Sequence, residues 1–138
     1  MPYVLDTDTT TALQHKNLHV VKRVSSLPPS GLFFTIVSFE EQCQGRLAVL
    51  NRQLTQTARI EAYQRLRETL DFYKIVNVLP YDERAAVIDA RLLAARRIGT
   101  MDRRIAAITL AHGHTLVTHN TVHFSNVPGL VQEDWITP

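Results

Sequence analysis

Acidic side chains occur in several separate segments of the chain, each close to the end or the start of a predicted element. Asp6 directly follows the apolar run at 3–5, and Asp8 comes two residues later. Glu40 and Glu41 follow the apolar run at 32–37, and Asp102 lies where a helix begins. Carboxylates that meet in space repel one another unless a cation neutralises them, and oxygen ligands suit Mg²⁺ or Mn²⁺. The elements around these acids decide whether they meet.

Predicted strands and helices alternate along the chain. Apolar runs predict four strands, at 3–5, 32–37, 74–80 and 115–120. Apolar residues with helical spacing predict one helix over 9–24, a leucine-rich pair that ends near 72, and helices over 82–97 and 100–112. Ser38 and Glu41 are spaced as a capping box that begins a helix, and Trp135 is expected to anchor the C-terminal tail. This alternation predicts an α/β fold, a three-layer α/β/α sandwich with a central parallel sheet.

The carboxyl edge of such a sheet is where ligands bind. The predicted elements would bring to that edge Asp6, Asp8, Glu41, Asp102, Asn120 and His123. A divalent cation held by carboxylates can deprotonate a bound water and stabilise in-line attack on phosphorus. The pattern therefore predicts metal-dependent hydrolysis of phosphodiester bonds, with Arg103 and Arg104 as candidates for contact with the polyanionic substrate or as residues of an exposed helix face.

Each acid also has a purely structural explanation. Asp8 could be the N-cap of the first helix, Glu41 is part of the predicted capping box, and Asp102 suits the first turn of a helix by its charge. Asp6 is the hardest to explain as a cap. If every acid served only as a cap in a generic α/β domain, the carboxylates would lie apart in space.

The bulk composition sets the class of protein. The chain has 138 residues, of which 45% are hydrophobic and 20% charged, which predicts one globular domain over 1–138. Cys43 is the only cysteine, which excludes an internal disulfide. The N-terminal segment lacks signal-peptide features and no apolar run is long enough to span a bilayer, so a cytoplasmic protein without membrane contact is expected.

The motifs resemble those of PIN-domain ribonucleases, in particular VapC-type toxins of bacterial toxin–antitoxin modules. "VLDTD" is similar to the first motif of that family, and "SFEEQCQG" to the second, with the functional acid four residues before the glycine, which selects Glu41 over Glu40. "IGTMDRRIAA" is similar to the third motif, and "TLVTHNTVHFSNVPGLVQEDW" to the C-terminal segment. The resemblance spans nearly the whole chain.

The resemblance implies a function and a site. Asp6, Glu41 and Asp102 would form the acidic metal site, Asp8 would support it, and Asn120 matches the asparagine after the last core strand. The implied activity is Mg²⁺- or Mn²⁺-dependent endonucleolytic cleavage of RNA. The implied partners are a second copy in a homodimer and a cognate antitoxin that blocks the site. The leucine-rich helix pair is a candidate for either interface, or ordinary core.

One departure from the family pattern concerns His123, which stands where a fourth acid is frequent. A neutral histidine removes one negative charge and so changes how a metal would be held. An alternative function is therefore a PIN-fold binding module without turnover, acting through its RNA or antitoxin complex. The sequence leaves the RNA target, the antitoxin and the number of metal ions open.

Overall fold

A parallel sheet forms the centre of the molecule. The structure is a computed structural model that describes residues 2–94 and 98–138. Within those residues the sheet has five strands in the order β3-β2-β1-β4-β5, all parallel. The strands are β1 (Tyr3–Leu5), β2 (Leu32–Thr35), β3 (Val78–Leu79), β4 (Thr115–Val117) and β5 (Gln132–Glu133). The helices are α1 (Thr7–Gln14), α2 (Leu18–Ser25), α3 (Ile36–Leu50), α4 (Gln56–Ile75), α5 (Glu83–Leu92), α6 (Thr100–His112) and α7 (Thr121–Phe124). The sequence analysis did not predict β5, which has only two residues.

Two apolar clusters cover the two faces of the sheet. Val4 and Leu116 face the cluster that includes α5 and α6 residues, whereas Leu5 and Val117 face the cluster that includes α2 and α4 residues. This division follows from the geometry of a strand, in which successive side chains point to opposite faces. The three-layer α/β/α architecture predicted from the sequence is confirmed.

The second strand is shorter than predicted, because its apolar run divides between a strand and a helix. The strand ends at Thr35, whose hydroxyl accepts a hydrogen bond from the backbone N–H of Ser38 at 3.1 Å and so caps α3. Ile36 and Val37 therefore belong to the first turn of the helix. The predicted capping box that begins at Ser38 is wrong, since a hydroxyl three residues earlier already fills the capping position.

The predicted helix over 9–24 is two helices. Lys16 has a left-handed backbone with φ of 61°, which ends α1, and the side chain of Asn17 accepts from the N–H groups of His19 and Val20 to begin α2. Apolar spacing alone did not reveal this break, since the two helices continue the same apolar face toward the core.

The later elements match the predictions more closely. Asp82 caps α5, and Gly113 ends α6 in a left-handed conformation, as expected of a C-terminal glycine. Helix α5 ends at Leu92, and Gly99 caps α6 rather than ending α5; the predicted C-terminal arginines 96 and 97 lie outside the described residues. The predicted third strand shrinks to β3, because α4 continues to Ile75.

The C-terminal tail is held as predicted by Trp135. Its side chain is buried against the α2 side of the sheet, and its indole N–H donates to Glu133 at 3.0 Å. The guanidinium of Arg23 lies 4.9 Å from the centre of the indole ring and also pairs with Glu133. None of the helices among the described residues is long and apolar enough to cross a membrane.

Candidate active site

Asp6 is placed by the central strand and at the same time caps the first helix. Its backbone N–H donates to the carbonyl of Val117 on β4 at 3.0 Å, and its carboxylate accepts from the N–H of Thr9 at 2.9 Å. Burial raises the pKa of Asp6, although hydrogen bonds from Thr118 and Thr9 act in the opposite direction. The structural role considered for Asp8, the N-cap of α1, is thus filled by Asp6, and Asp8 lies exposed in the first turn.

Glu41 approaches from α3 and is tied to the start of α1. The hydroxyl of Thr7 donates to Oε1 of Glu41 at 2.5 Å and lies 3.0 Å from the hydroxyl of Ser38. Glu41 is half-buried, whereas its neighbour Glu40 is exposed. The structure therefore turns Glu41, and not Glu40, toward the start of α1.

Asp102 lies in the first turn of α6 and is affected by the other acids. Burial first, and then the charges of Glu41, Asp6 and Asp8 in that order, raise its pKa to about 6, while His123 acts in the opposite direction. Carboxylates from β1, α1, α3 and α6 thus share one electrostatic environment. Asp6 does cap α1, but the influence of three other carboxylates on the pKa of Asp102 is not expected of acids that serve only as separate caps.

The loop after β4 borders the acids. Asn120 begins α7; its backbone N–H donates to the hydroxyl of Thr118 at 3.0 Å, and its carbonyl accepts from the N–H of His123 at 3.1 Å. The side chain of His123 is exposed, and its charge acts to lower the pKa of Asp102. The positions of the side chains named at the sheet edge are therefore compatible with a single site.

Comparison with known proteins decides the family. Residues 3–130 match the PIN domain. The chain belongs to the PIN-domain family. This confirms the resemblance predicted from the motifs, and the following likenesses extend it to proteins of the VapC type.

The PIN domain has relatives that share its sequence or its fold. A tRNA(fMet)-specific endonuclease VapC of Shigella flexneri is 36% identical over 69 residues, a match that spans 46% of this chain and only about half, 52%, of that relative. A chain of the DNA-bound VapBC structure from Salmonella typhimurium superposes with a TM-score of 0.78 at 26% identity, over 98% of both chains. VapBC-1 of nontypeable Haemophilus influenzae has the same fold, with a TM-score of 0.77 at 24% identity over 98% of both chains.

The donors of this PIN domain fit a hard divalent cation in their chemistry. They are carboxylate oxygens, the ligands that Mg²⁺ and Mn²⁺ prefer, and a cation would neutralise the repulsion that raises the pKa of Asp102. As the side chains stand, no three His, Cys, Asp or Glu residues within 2–94 and 98–138 are grouped closely enough to hold an ion. Asp6 and Glu41 are instead bonded to Thr9 and Thr7, so these carboxylates would exchange hydroxyl or amide partners for the metal.

The two arginines that follow Asp102 have different environments. Arg103 donates from Nε to Asp89 at 2.6 Å, and its side chain is only 15% exposed. Arg104 lies 3.9 Å from the same carboxylate, and its side chain is 37% exposed. Arg103 is thus used inside the PIN domain, whereas Arg104 is the more accessible of the two arginines.

Sequence reasoning missed the hydroxyl groups that hold the acids. Thr7 holds Glu41 and is itself bonded to Ser38, while Thr9 and Thr118 contact Asp6. Three of the four follow an acid or a strand end in the sequence, as in "DTDT" and "LVTHN". A Thr or Ser next to an acid or a strand end was therefore the sequence feature that could have indicated these supporting hydroxyl groups.

Proposed function

We propose that this chain is a metal-dependent endoribonuclease that acts as the toxin of a toxin–antitoxin pair and hydrolyses phosphodiester bonds of RNA. The observation that carries the proposal is the raised pKa of Asp102, about 6, which burial causes first and which the charges of Glu41, Asp6 and Asp8 increase. Membership of the PIN-domain family and the likeness to a VapC endonuclease support it.

In this proposal Asp6, Glu41 and Asp102 hold Mg²⁺ or Mn²⁺, with Asp8, Asn120 and His123 around them. A bound ion would lower the pKa of a water molecule and would offset negative charge on the phosphate under attack. Asp6 is fixed by its cap and its strand, and Thr7 limits the freedom of Glu41, so both carboxylates approach from directions set by the backbone. His123 contacts the phosphate when protonated, and Arg104 lies on the outer side of α6 where a polyanion would pass.

The partners belong to the same proposal. The similar VapBC structures contain VapB together with VapC, which supports a cognate antitoxin for this chain. Helices α3 and α4 expose large apolar side chains, among them Leu47, Ile60 and Leu70. These side chains suit an interface with the antitoxin or with a second copy in a homodimer. The cytoplasm stays the predicted compartment.

A binding module without turnover is the second candidate, and His123 is the observation that favours it. With a histidine in place of a fourth acid, the site has less negative charge for a metal to neutralise. The two functions differ in their use of metal: a nuclease needs the divalent ion for product to appear, whereas a binding module holds RNA equally well in chelator.

Cleavage of a mixed RNA pool with Mg²⁺, Mn²⁺ or EDTA tests the proposal. The variant is Asp6→Asn, which keeps the volume and the capping oxygen but removes the charge, so that the helix start loses little stability. The matched control is Asp82→Asn, since Asp82 caps α5 in the same way, from its side chain to the N–H of Ala85 at 3.0 Å. We expect metal-dependent cleavage in the parent and the control, and its loss in Asp6→Asn.

Two results would contradict the nuclease. Full cleavage by Asp6→Asn would show that the charge of Asp6 is not needed for cleavage, which contradicts the proposed role of the acids. No cleavage by folded, antitoxin-free parent protein under any metal condition, together with retained RNA binding in EDTA, would favour the binding module.

A further inference from the structure

A cavity lies directly beside the acids, between the helices that carry two of them. Its volume is about 550 Å³, within the range of small-ligand sites, and it is lined by Ile36, Val37, Phe39, Glu40, Tyr81 and Arg104. Glu40 precedes Glu41 on α3, and Arg104 follows Asp102 by two residues on α6. A group bound to the acids by a phosphate could therefore place its neighbouring base in this cavity.

The wall of the cavity formed by Tyr81 and Arg104 is held by a buried carboxylate. Asp89 of α5 is 7% exposed; Oδ2 accepts from the hydroxyl of Tyr81 at 2.6 Å, and Oδ1 accepts from Arg103 at 2.6 Å. Arg104 reaches this carboxylate only at 3.9 Å, because both oxygens are already occupied at short distance. Tyr81 is thus fixed in position, while the guanidinium of Arg104 keeps its donors for another partner.

The polar groups of the cavity are one cation and one anion. Within the part of the chain that the structure describes, the side chains of Arg104 and Glu40 make no hydrogen bond, although Arg104 has its long ion pair with Asp89. A phosphate would be attracted by Arg104 but repelled by Glu40. A neutral ligand with acceptors on one edge and donors on another would satisfy both side chains.

The remaining surface suits a flat ring. The aromatic ring of Tyr81 is 38% exposed and Ile36 is 41% exposed, both unusually open for residues next to buried helix starts. Unpaired RNA bases stack on aromatic and guanidinium planes and offer their edges for hydrogen bonds. Arginine recognises O6 and N7 of guanine, and a carboxylate accepts from amino groups of bases. Guanine alone among the RNA bases combines that acceptor pair with ring and amino N–H donors.

We propose that this cavity is a subsite for an unpaired guanine of the RNA, with Tyr81 and Phe39 as stacking surface, Arg104 as donor and Glu40 as acceptor. The inference rests on the proposed function for the identity of the polymer, and it adds a base preference to it. Asp89 is a positioning residue, since it acts through Tyr81 and Arg104.

The test is binding of labelled RNA to the full chain in EDTA, followed by fluorescence anisotropy. The probes are an oligouridine with one central guanosine and the same oligouridine with one central adenosine. We expect the guanosine probe to bind about ten-fold more tightly, the size of one good bidentate contact to a base. Arg104→Gln should abolish this preference, and Glu40→Gln should reduce it.

The matched control is Arg91→Gln, because Arg91 is an exposed arginine on α5 that does not line this cavity. Its replacement removes the same charge and should weaken the binding of both probes equally, so that the guanosine preference is unchanged. Equal affinity of the parent for both probes, or an unchanged preference in Arg104→Gln, would overturn the subsite. If Arg104→Gln changed the oligomeric state on gel filtration but left the guanosine preference unchanged, the subsite would also be overturned. The cavity would then be identified as a contact between copies of the chain.

This experiment is separate from the test of cleavage. A guanosine preference in EDTA that depends on Arg104 supports the subsite even if no metal condition gives cleavage. Cleavage without any guanosine preference would retain the nuclease and remove the subsite.

Discussion

Replacement of Asp102 by asparagine is expected to stabilise the metal-free protein at neutral and alkaline pH. Burial and the charges of Glu41, Asp6 and Asp8 raise the pKa of Asp102 from 3.8 to about 6. The folded protein therefore holds this proton more tightly than the unfolded chain does. The contribution of Asp102 to the stability of the folded protein is therefore largest below about pH 4. It decreases as the pH rises toward about 6 and stays reduced above that pH.

The magnitude follows from the size of the pKa difference. Two pKa units correspond to at most about 3 kcal/mol, since one unit is about 1.4 kcal/mol. Asp102 is only partly buried, so solvent screening reduces this figure to about 1–2 kcal/mol. Asparagine also gives up a favourable charge at the start of α6, worth roughly 0.3–1 kcal/mol. The net expectation is a gain of about 1 kcal/mol above neutral pH, which shrinks toward pH 4.

Urea unfolding followed by circular dichroism in EDTA measures this gain between about pH 4 and pH 8. The matched control is Glu83→Gln, which removes an exposed acid from the first turn of α5 and tests the helix-dipole contribution alone. The control should be slightly destabilised at every pH. If Asp102→Asn were destabilised at pH 8, or shifted equally at all pH values, the acids would not repel one another as the structure indicates.

Two further stability predictions concern other parts of the fold. Asp89→Asn should lose about 2–3 kcal/mol of stability, because it leaves Arg103 buried without its counter-charge. Asp71→Asn, which breaks an exposed pair, should lose less than about 1 kcal/mol. Thermal unfolding compares the two variants, and equal shifts in Tm would contradict the importance of the buried pair. Gly113→Ala should lose about 1–2 kcal/mol, since φ is +65° and no atom lies near the added Cβ to cause a clash. Gly45→Ala, inside α3 with equally free space, should gain about 0.5–1 kcal/mol, and chemical denaturation that ranks the two alike would refute the conformational argument.

Local patterns predicted most of the fold, and the errors occurred where two local signals competed. Asp82 and Gly113 were predicted correctly because capping chemistry depends on neighbouring residues. Thr35 and Ser38 both carry a hydroxyl able to cap α3, and the β-branched residues between them continued the strand pattern, so the sequence favoured the later one. The pairing of strands determined which hydroxyl stands at the helix start.

At the candidate site, the acids could be named from the sequence, but the side chains that support them could not. Asp6, Glu41 and Asp102 could be named from their positions after strands and from the resemblance to the PIN family. Thr7 could not be linked to Glu41, because that hydrogen bond joins residues 34 positions apart. Asp6 was judged a poor cap, yet it caps α1, since one carboxylate has enough oxygens to bond a backbone N–H and face the site as well.

The pairing of β1 with β4 has a consequence for the folding of the chain during its synthesis on the ribosome. Tyr3 pairs with Thr115, and the backbone of Asp6 bonds to Val117, so the central strand gains one of its two neighbours only late in synthesis. Chains emerge N-terminus first at about 5–20 residues per second, and non-local parallel pairing is intrinsically slow to form. A nascent chain that already carries Asp6 and Glu41 therefore lacks both Asp102 and the strand that fixes Asp6. The acids can approach one another only after residue 117 has left the ribosome, so this edge of the sheet is completed late in folding.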